Sequence, residues 1–253
     1  MVKIAHARYS EHKSKYGSAG DQTRGEVAIT EWYNAGWTTV LRPINASVRE
    51  SIANAAEAGC KNDNIGYSQA SGVNGRTSLF NLAKKCGFNL SKVAKKCNCD
   101  CSSFVAVCVN AAGISVSKDM YTGNEVSLLM KTGAFLQLNT EKYTKSDKYL
   151  LRGDILHKNG HTAMVIESRS YDDLQPAEHF NKSIAGKYKA ITAVYMRYGA
   201  GKEYSIKTVI PKGAEVTNYG YYNIVDGNKW LLAEYQNNGK TYTGYVSGKY
   251  LVK

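Results

Sequence analysis

The chain has 253 residues, 43% of them hydrophobic, and a formal net charge of +12. That length allows one large domain or two ordinary ones, and the apolar fraction is enough for a real core. No apolar run reaches the ~18 residues a membrane-spanning helix needs. The charge calls for an anionic partner, with surplus lysine for solubility as the bland alternative.

Residues 1 to about 45 read as mixed. Gly20-Asp21-Gln22-Thr23-Arg24-Gly25-Glu26-Val27 is polar and turn-rich, and Trp32 and Trp37 follow before Arg42-Pro43. Asn45 to Gly59 reads as a helix with Val48, Ile52 and Ala55 on one face and Gly59 as its stop. Thr77 to Gly87 reads likewise, with Phe80 and Ala83 inward. A third helix is expected over roughly 101–112, where Phe104, Val105, Cys108, Val109 and Ala112 recur at helical spacing before Gly113. A short helix near 124–132 ends at Gly133, and strands are expected near 153–157 and 161–167, split by the Asn159-Gly160 turn. From residue 186 the composition changes. This tail holds 11 of the 19 tyrosines, with nine Lys and one Arg against four acidic residues, in short alternating runs broken by Gly and Asn. It reads as a small all-β module, joined through a linker near 180–187.

Six cysteines are present: Cys60, Cys86, Cys97, Cys99, Cys101 and Cys108. The opening Met1-Val2-Lys3-Ile4-Ala5-His6-Ala7-Arg8 lacks the apolar centre of a signal peptide, so a disulfide framework is not expected. Cys97-x-Cys99-x-Cys101 has the wrong gaps for structural zinc and no second pair, and Cys108 reads as core. Cys101 is different. It opens a helix behind Asp100, a natural N-cap, and the positive end of a helix favours thiolate, the attacking form. The negative Asp100 opposes this. His161, at a strand start after the turn, is the candidate base, its ring expected to face the helix; His157 competes. The backbone N–H of Cys101 is a candidate oxyanion donor. Trp32, Trp37 and Arg76 are candidates for cleft lining or for structural roles.

Three blocks carry a resemblance: Ile65-Gly66-Tyr67-Ser68-Gln69, then Asp100-Cys101-Ser102-Ser103, then Gly153-Asp154-Ile155-Leu156 leading to Gly160-His161-Thr162-Ala163-Met164. In this order they resemble the NlpC-like cysteine hydrolases of bacterial and phage origin, relatives of CHAP amidases. Gly20 to Val27 with Trp32-Tyr33-Asn34 looks like the start of some phage endolysins from Gram-positive hosts. The tail resembles a bacterial SH3-like wall-binding domain, through Val194-Tyr195-Met196-Arg197, Pro211-Lys212-Gly213, Lys229-Trp230-Leu231 and Gly244-Tyr245-Val246-Ser247.

The resemblance implies an α+β, papain-like catalytic domain over 1–182 and an SH3-like barrel over 186–253. It implies peptidoglycan amide hydrolysis by Cys101 and His161, as an N-acetylmuramoyl-L-alanine amidase or a stem-peptide endopeptidase. Tyr67 would border the nucleophile, and Tyr67 and Asp100 would touch substrate. The third catalytic group would sit on a returning strand: a hairpin near Ser170 would bring His179 opposite His161, with Asp21 and Glu26 as rivals. Glu167, six residues along the strand, lies roughly 20 Å away, which is too far to serve. No cofactor or metal is expected. The partners would be peptidoglycan and anionic wall polymers, not nucleic acid, with no membrane insertion and a monomeric state. Synthesis in the host cytoplasm would precede action on the wall. A non-catalytic wall-binding or virion protein, or a basic nucleic-acid-binding protein whose tyrosines stack bases, are the rival readings.

Overall fold

The computed structural model describes residues 2–9, 14–20, 25–168, 174–202, 204–225 and 227–253. The chain forms two units, Met1–Arg169 and Ser170–Lys253. The first contains β1 (Lys3–Ala7), β2 (Val27–Glu31), β3 (Thr39–Pro43), α1 (Ala46–Cys60), β4 (Ile65–Tyr67), α2 (Ser78–Lys85) and β5 (Cys97–Cys99). It continues with α3 (Cys101–Ala111), α4 (Glu125–Lys131), β6 (Phe135–Leu138), α5 (Glu141–Thr144), β7 (Ile155–Lys158) and β8 (His161–Glu167). The architecture is mixed α/β. The three strands before α1 were not legible as strands in the sequence.

A six-stranded antiparallel sheet in the order β2-β1-β8-β7-β3-β6 organises this unit. Its central strands are buried on both faces, so they read as unbroken apolar runs rather than alternation. Ala5, Leu41, Ile155, Met164 and Ile166 pack with Ile52 of α1, Leu79 of α2 and the apolar body of α3. Their strand neighbours Ile4, Val40, Leu156, Ala163 and Val165 pack on the other face with Trp37, Tyr143 and Leu150. Alternation along each strand thus assigns every residue of β8 to a face.

Gly59 is not a helix stop. α1 runs on to Cys60, and a Cβ on Gly59 would come 2.5 Å from the Phe104 ring, so the missing side chain lets α1 approach α3. Gly153-Asp154 precede β7 rather than starting it. Gly153 has φ +88°, and the fully buried Asp154 receives two hydrogen bonds from Arg42, of 2.8 and 2.7 Å, and one from the Leu151 amide. The motif is therefore a turn locked by a buried ion pair. Cys97 and Cys99 are buried in β5, and among the described residues no group of three or more His, Cys, Asp or Glu could hold a metal. Among the described residues no helix is long and apolar enough to cross a membrane.

The second unit holds β9 (His179–Phe180), β10 (Gly186–Ala190), β11 (Val194–Arg197), β12 (Ile206–Ile210), β13 (Glu215–Val225), β14 (Asn228–Asn237), β15 (Lys240–Ser247) and β16 (Leu251–Val252). The strands pair in the order β12-β11-β15-β14-β13-β10-β16, with β9 on β13, as an antiparallel half-barrel over Met196, Ile210, Val216, Leu231 and Val246. The segment expected as a linker is instead structured: β9, a short 3-10 turn and the start of β10 occupy 179–187. Lysines lie over tyrosine rings here, Lys207 at 4.3 Å from Tyr198 and Lys229 at 4.8 Å from Tyr222. These cation–π contacts give the Lys- and Tyr-rich composition a physical role.

Candidate active site

Asp100 caps α3 as its position suggests. Its Oδ1 accepts from the Ser103 amide at 2.7 Å, and Ser103 Oγ accepts from the Asp100 amide at 2.8 Å. Its other oxygen, Oδ2, accepts from Arg76 Nε at 2.5 Å, and Arg76 also donates to the Met120 carbonyl. Both carboxylate oxygens are thus engaged within the protein, one by the α3 cap and one by Arg76. Arg76 offsets the charge that the sequence places beside the cysteine.

Cys101 is the first residue of α3 and only 7% exposed. Burial, then the charges of Asp100 and Glu125, push its thiol from 9.0 up to about 12; the Ser102 hydroxyl and a hydrogen bond from the Thr162 backbone amide pull the other way. The rise corresponds to about 4 kcal/mol, whereas a helix terminus typically supplies about 0.3–1 kcal/mol. Desolvation outweighs the dipole, and the resting group is a thiol rather than the expected thiolate.

His161 opens β8. By strand alternation it shares the face of Ala163 and Val165, and its ring stacks on Trp37 at 5.7 Å. Thr162, not His161, faces α3. The expectation that the imidazole would face the helix is corrected, because the Asn-Gly turn fixes the hairpin but not which parity points inward. No hydrogen bond joins Cys101 to His161 in this structure. The link between them is one residue long, through the Thr162 amide on the sulfur.

His161 Nε2 lies 3.1 Å from Nδ1 of His6, and His6 Nε2 lies 3.4 Å from the Thr30 hydroxyl. Two proton placements satisfy this chain; in the one that suits a base, Nε2–H of His161 donates to His6 and Nε2–H of His6 donates to Thr30. In that placement Nδ1 of His161 keeps its lone pair. Burial lowers His161 from 6.5 to about 4, with Lys158 and Arg8 adding to the shift. Burial and His161 lower His6 to about 3. Both rings are neutral at rest.

His6 is the residue that sequence reasoning missed. It reaches His161 because β1 lies beside β8, in register at Ile4 with Val165 and Ala5 with Met164. β1 and β7 occupy both edges of β8, so the hairpin proposed to bring His179 opposite His161 does not form. His179 sits on β9, paired with Tyr222 of β13 and stacked on its ring at 5.2 Å. Asp21 lies outside the described residues. Glu26 is buried just before β2, with its carbonyl bonded to the Arg8 amide. His157 turns Nε2 to the Thr122 carbonyl at 2.9 Å. Glu167 pairs with Lys3.

A cleft of about 590 Å³ lies beside His161, lined also by Tyr67, Tyr33, Tyr9, Arg8 and Lys158. The Tyr67 hydroxyl accepts from Gln69 at 2.7 Å, and burial followed by the neighbouring Cys101 raises its pKa. Tyr67 thus connects the cleft to the cysteine.

Neither a curated protein nor a solved structure matches the chain. A family model does, described as an endolysin-like domain and matching residues 4–172, which takes in β1 from Ile4 on, with His6, the Cys101 helix and the whole of β8. The chain belongs to the endolysin-like domain family.

Proposed function

We propose that this chain hydrolyses an amide bond of peptidoglycan, with Cys101 as nucleophile, His161 as proton carrier and His6 as the group that orients it. Family membership indicates a phage cell-wall hydrolase in general. The observation that supports the finer reading is the meeting of a capped helix-start cysteine with the amide of Thr162, next to a histidine already held by a second histidine.

With thiol and imidazole both neutral at rest, the proton leaves sulfur as attack begins. Cys101 Sγ bonds to the carbonyl carbon while Nδ1 of His161 takes the proton, and in this reading the Cys101 amide receives the oxyanion. The tetrahedral species collapses to a thioester as the amine departs with the proton from His161. Water, deprotonated by His161, then frees the acid and restores the thiol. This transfer requires Cys101 and His161 to come together with substrate bound; catalytic hydrogen bonds are commonly long before a ligand arrives. Arg8 and Lys158 at the cleft suit the carboxylates of a stem peptide.

In this reading the first unit is a papain-like hydrolase made in the host cytoplasm. The second is an SH3-like module that holds wall polymers through its lysines and a groove lined by Tyr195, Arg197, Trp230 and Tyr250. Mass spectrometry of muropeptides released from Gram-positive walls tests the reading. New N-terminal alanine identifies an amidase, and a new diamino-acid terminus an endopeptidase. Cys101→Ala with undiminished release refutes the cysteine mechanism.

A further inference from the structure

Glu125, the first residue of α4, is fully buried. Its Oε1 lies 2.7 Å from the Thr162 hydroxyl, while Oε2 meets no hydrogen-bond partner. The same hydroxyl lies 2.9 Å from the Leu156 carbonyl. A hydroxyl has one proton to give. The Leu156 carbonyl can only accept, so if Thr162 donates there, the proton between Thr162 and Glu125 must come from the carboxyl. An ionised carboxylate would be left with one oxygen unpartnered in a site closed to solvent, an expensive state. The backbone N–H of Thr162, meanwhile, is one of the groups that favour the Cys101 thiolate, with the Ser102 hydroxyl.

We propose that Glu125 is a positioning residue for Cys101: held as the neutral acid, it donates to Thr162 Oγ1 and keeps the Thr162 amide aimed at the sulfur. This rests on Cys101 being the nucleophile. The groups that act on Glu125 are Asp100, itself paired with Arg76, and the hydroxyls of Thr162 and Ser102. Cys101 feels Glu125 in turn, and His157 on β7 directs its Nε2 away, to Thr122. Burial, the largest cause, raises the carboxyl from 4.5 to about 8. Above that pH an ionised Glu125 sets a negative charge near the thiol and opposes thiolate formation, giving the site an alkaline limit.

Iodoacetamide alkylation of Cys101 in the full chain, followed by peptide mass spectrometry over a pH series, reads this without any substrate. Glu125→Gln still offers an N–H to Thr162 but cannot ionise. Its alkylation profile should move to lower pH by about one unit, roughly tenfold faster alkylation in the alkaline range. Thr162→Val cuts the link while keeping the carboxyl, and its profile should move to higher pH. Coincident profiles for the parent and both variants overturn the proposal, as does a Glu125→Gln profile that fails to move. If the profiles separate as expected while walls stay intact, the hydrolase reading fails and the positioning role of Glu125 stands.

Discussion

Glu125 and the two histidines pull stability in opposite directions, and the pull can be measured. His6 and His161 are depressed from 6.5 to about 3 and about 4. Their folded sites refuse protons that the unfolded chain accepts, so stability is full above the ordinary histidine pKa and is lost as pH falls below it. Between about pH 8 and about pH 5 each costs about 2 kcal/mol, about 4 kcal/mol together. Glu125 is raised from 4.5 to about 8, so its folded site keeps a proton that the unfolded chain sheds. Its penalty grows with pH, and the same acidification returns about 3–4 kcal/mol. The parent should therefore be nearly flat over this window. Glu125→Gln removes the returning contribution and should lose about 4 kcal/mol on acidification, while His6→Phe should gain about 1–2 kcal/mol. Urea unfolding free energies of the three proteins at the two pH values, in reductant, provide the measurement. A flat Glu125→Gln, or one that tracks the parent, would refute the buried-acid reasoning.

Three further outcomes are expected. Arg76→Ala strips the counter-charge from Asp100 beside the thiol, so Cys101 should ionise at still higher pH and wall hydrolysis should fall by roughly tenfold or more, seen in alkylation and turbidity assays. Gly153→Ala would set a Cβ 2.3 Å from the Arg49 carbonyl at φ +88°, and its urea midpoint should report a loss of more than about 2 kcal/mol. His179→Ala should leave turnover of soluble muropeptides unchanged, since its ring stacks on Tyr222 of the second unit; a large drop would reinstate it as a catalytic candidate.

Helices α1 to α4 were legible because each writes its period locally, α1 and α3 with a cap as well, whereas the four-residue α5 was not. Asp100 and Ser103 announce α3 within four residues, and the Asn159-Gly160 turn announces the β7–β8 hairpin. The first three strands were not legible. β3 is buried at all five positions and β1 at four of five, so no alternation survives to be read. His6 was hidden for a related reason. Its role comes from a strand pairing across 155 residues, and nothing near it in sequence records that partner. The same long-range pairing defeated the choice of His179, which assumed that β8's neighbour would be the next strand along. Thr162 and Glu125 were passed over because they are ordinary until a specific parity and a specific helix start bring them together. The thiol's protonation was misjudged for want of depth: a motif shows a helix terminus, but not that the cysteine beside it is out of water.

The pairing of β1 with β8 has a consequence for how such a chain is made. One histidine leaves the ribosome 155 residues before the other. Until β8 docks, His161 has no ring to lean on and Cys101 no amide against its sulfur. A nascent or truncated chain is thus unarmed by construction, and closing a loop this long is slow. Assembly itself becomes a timing device, delaying the reactive site until the unit is complete.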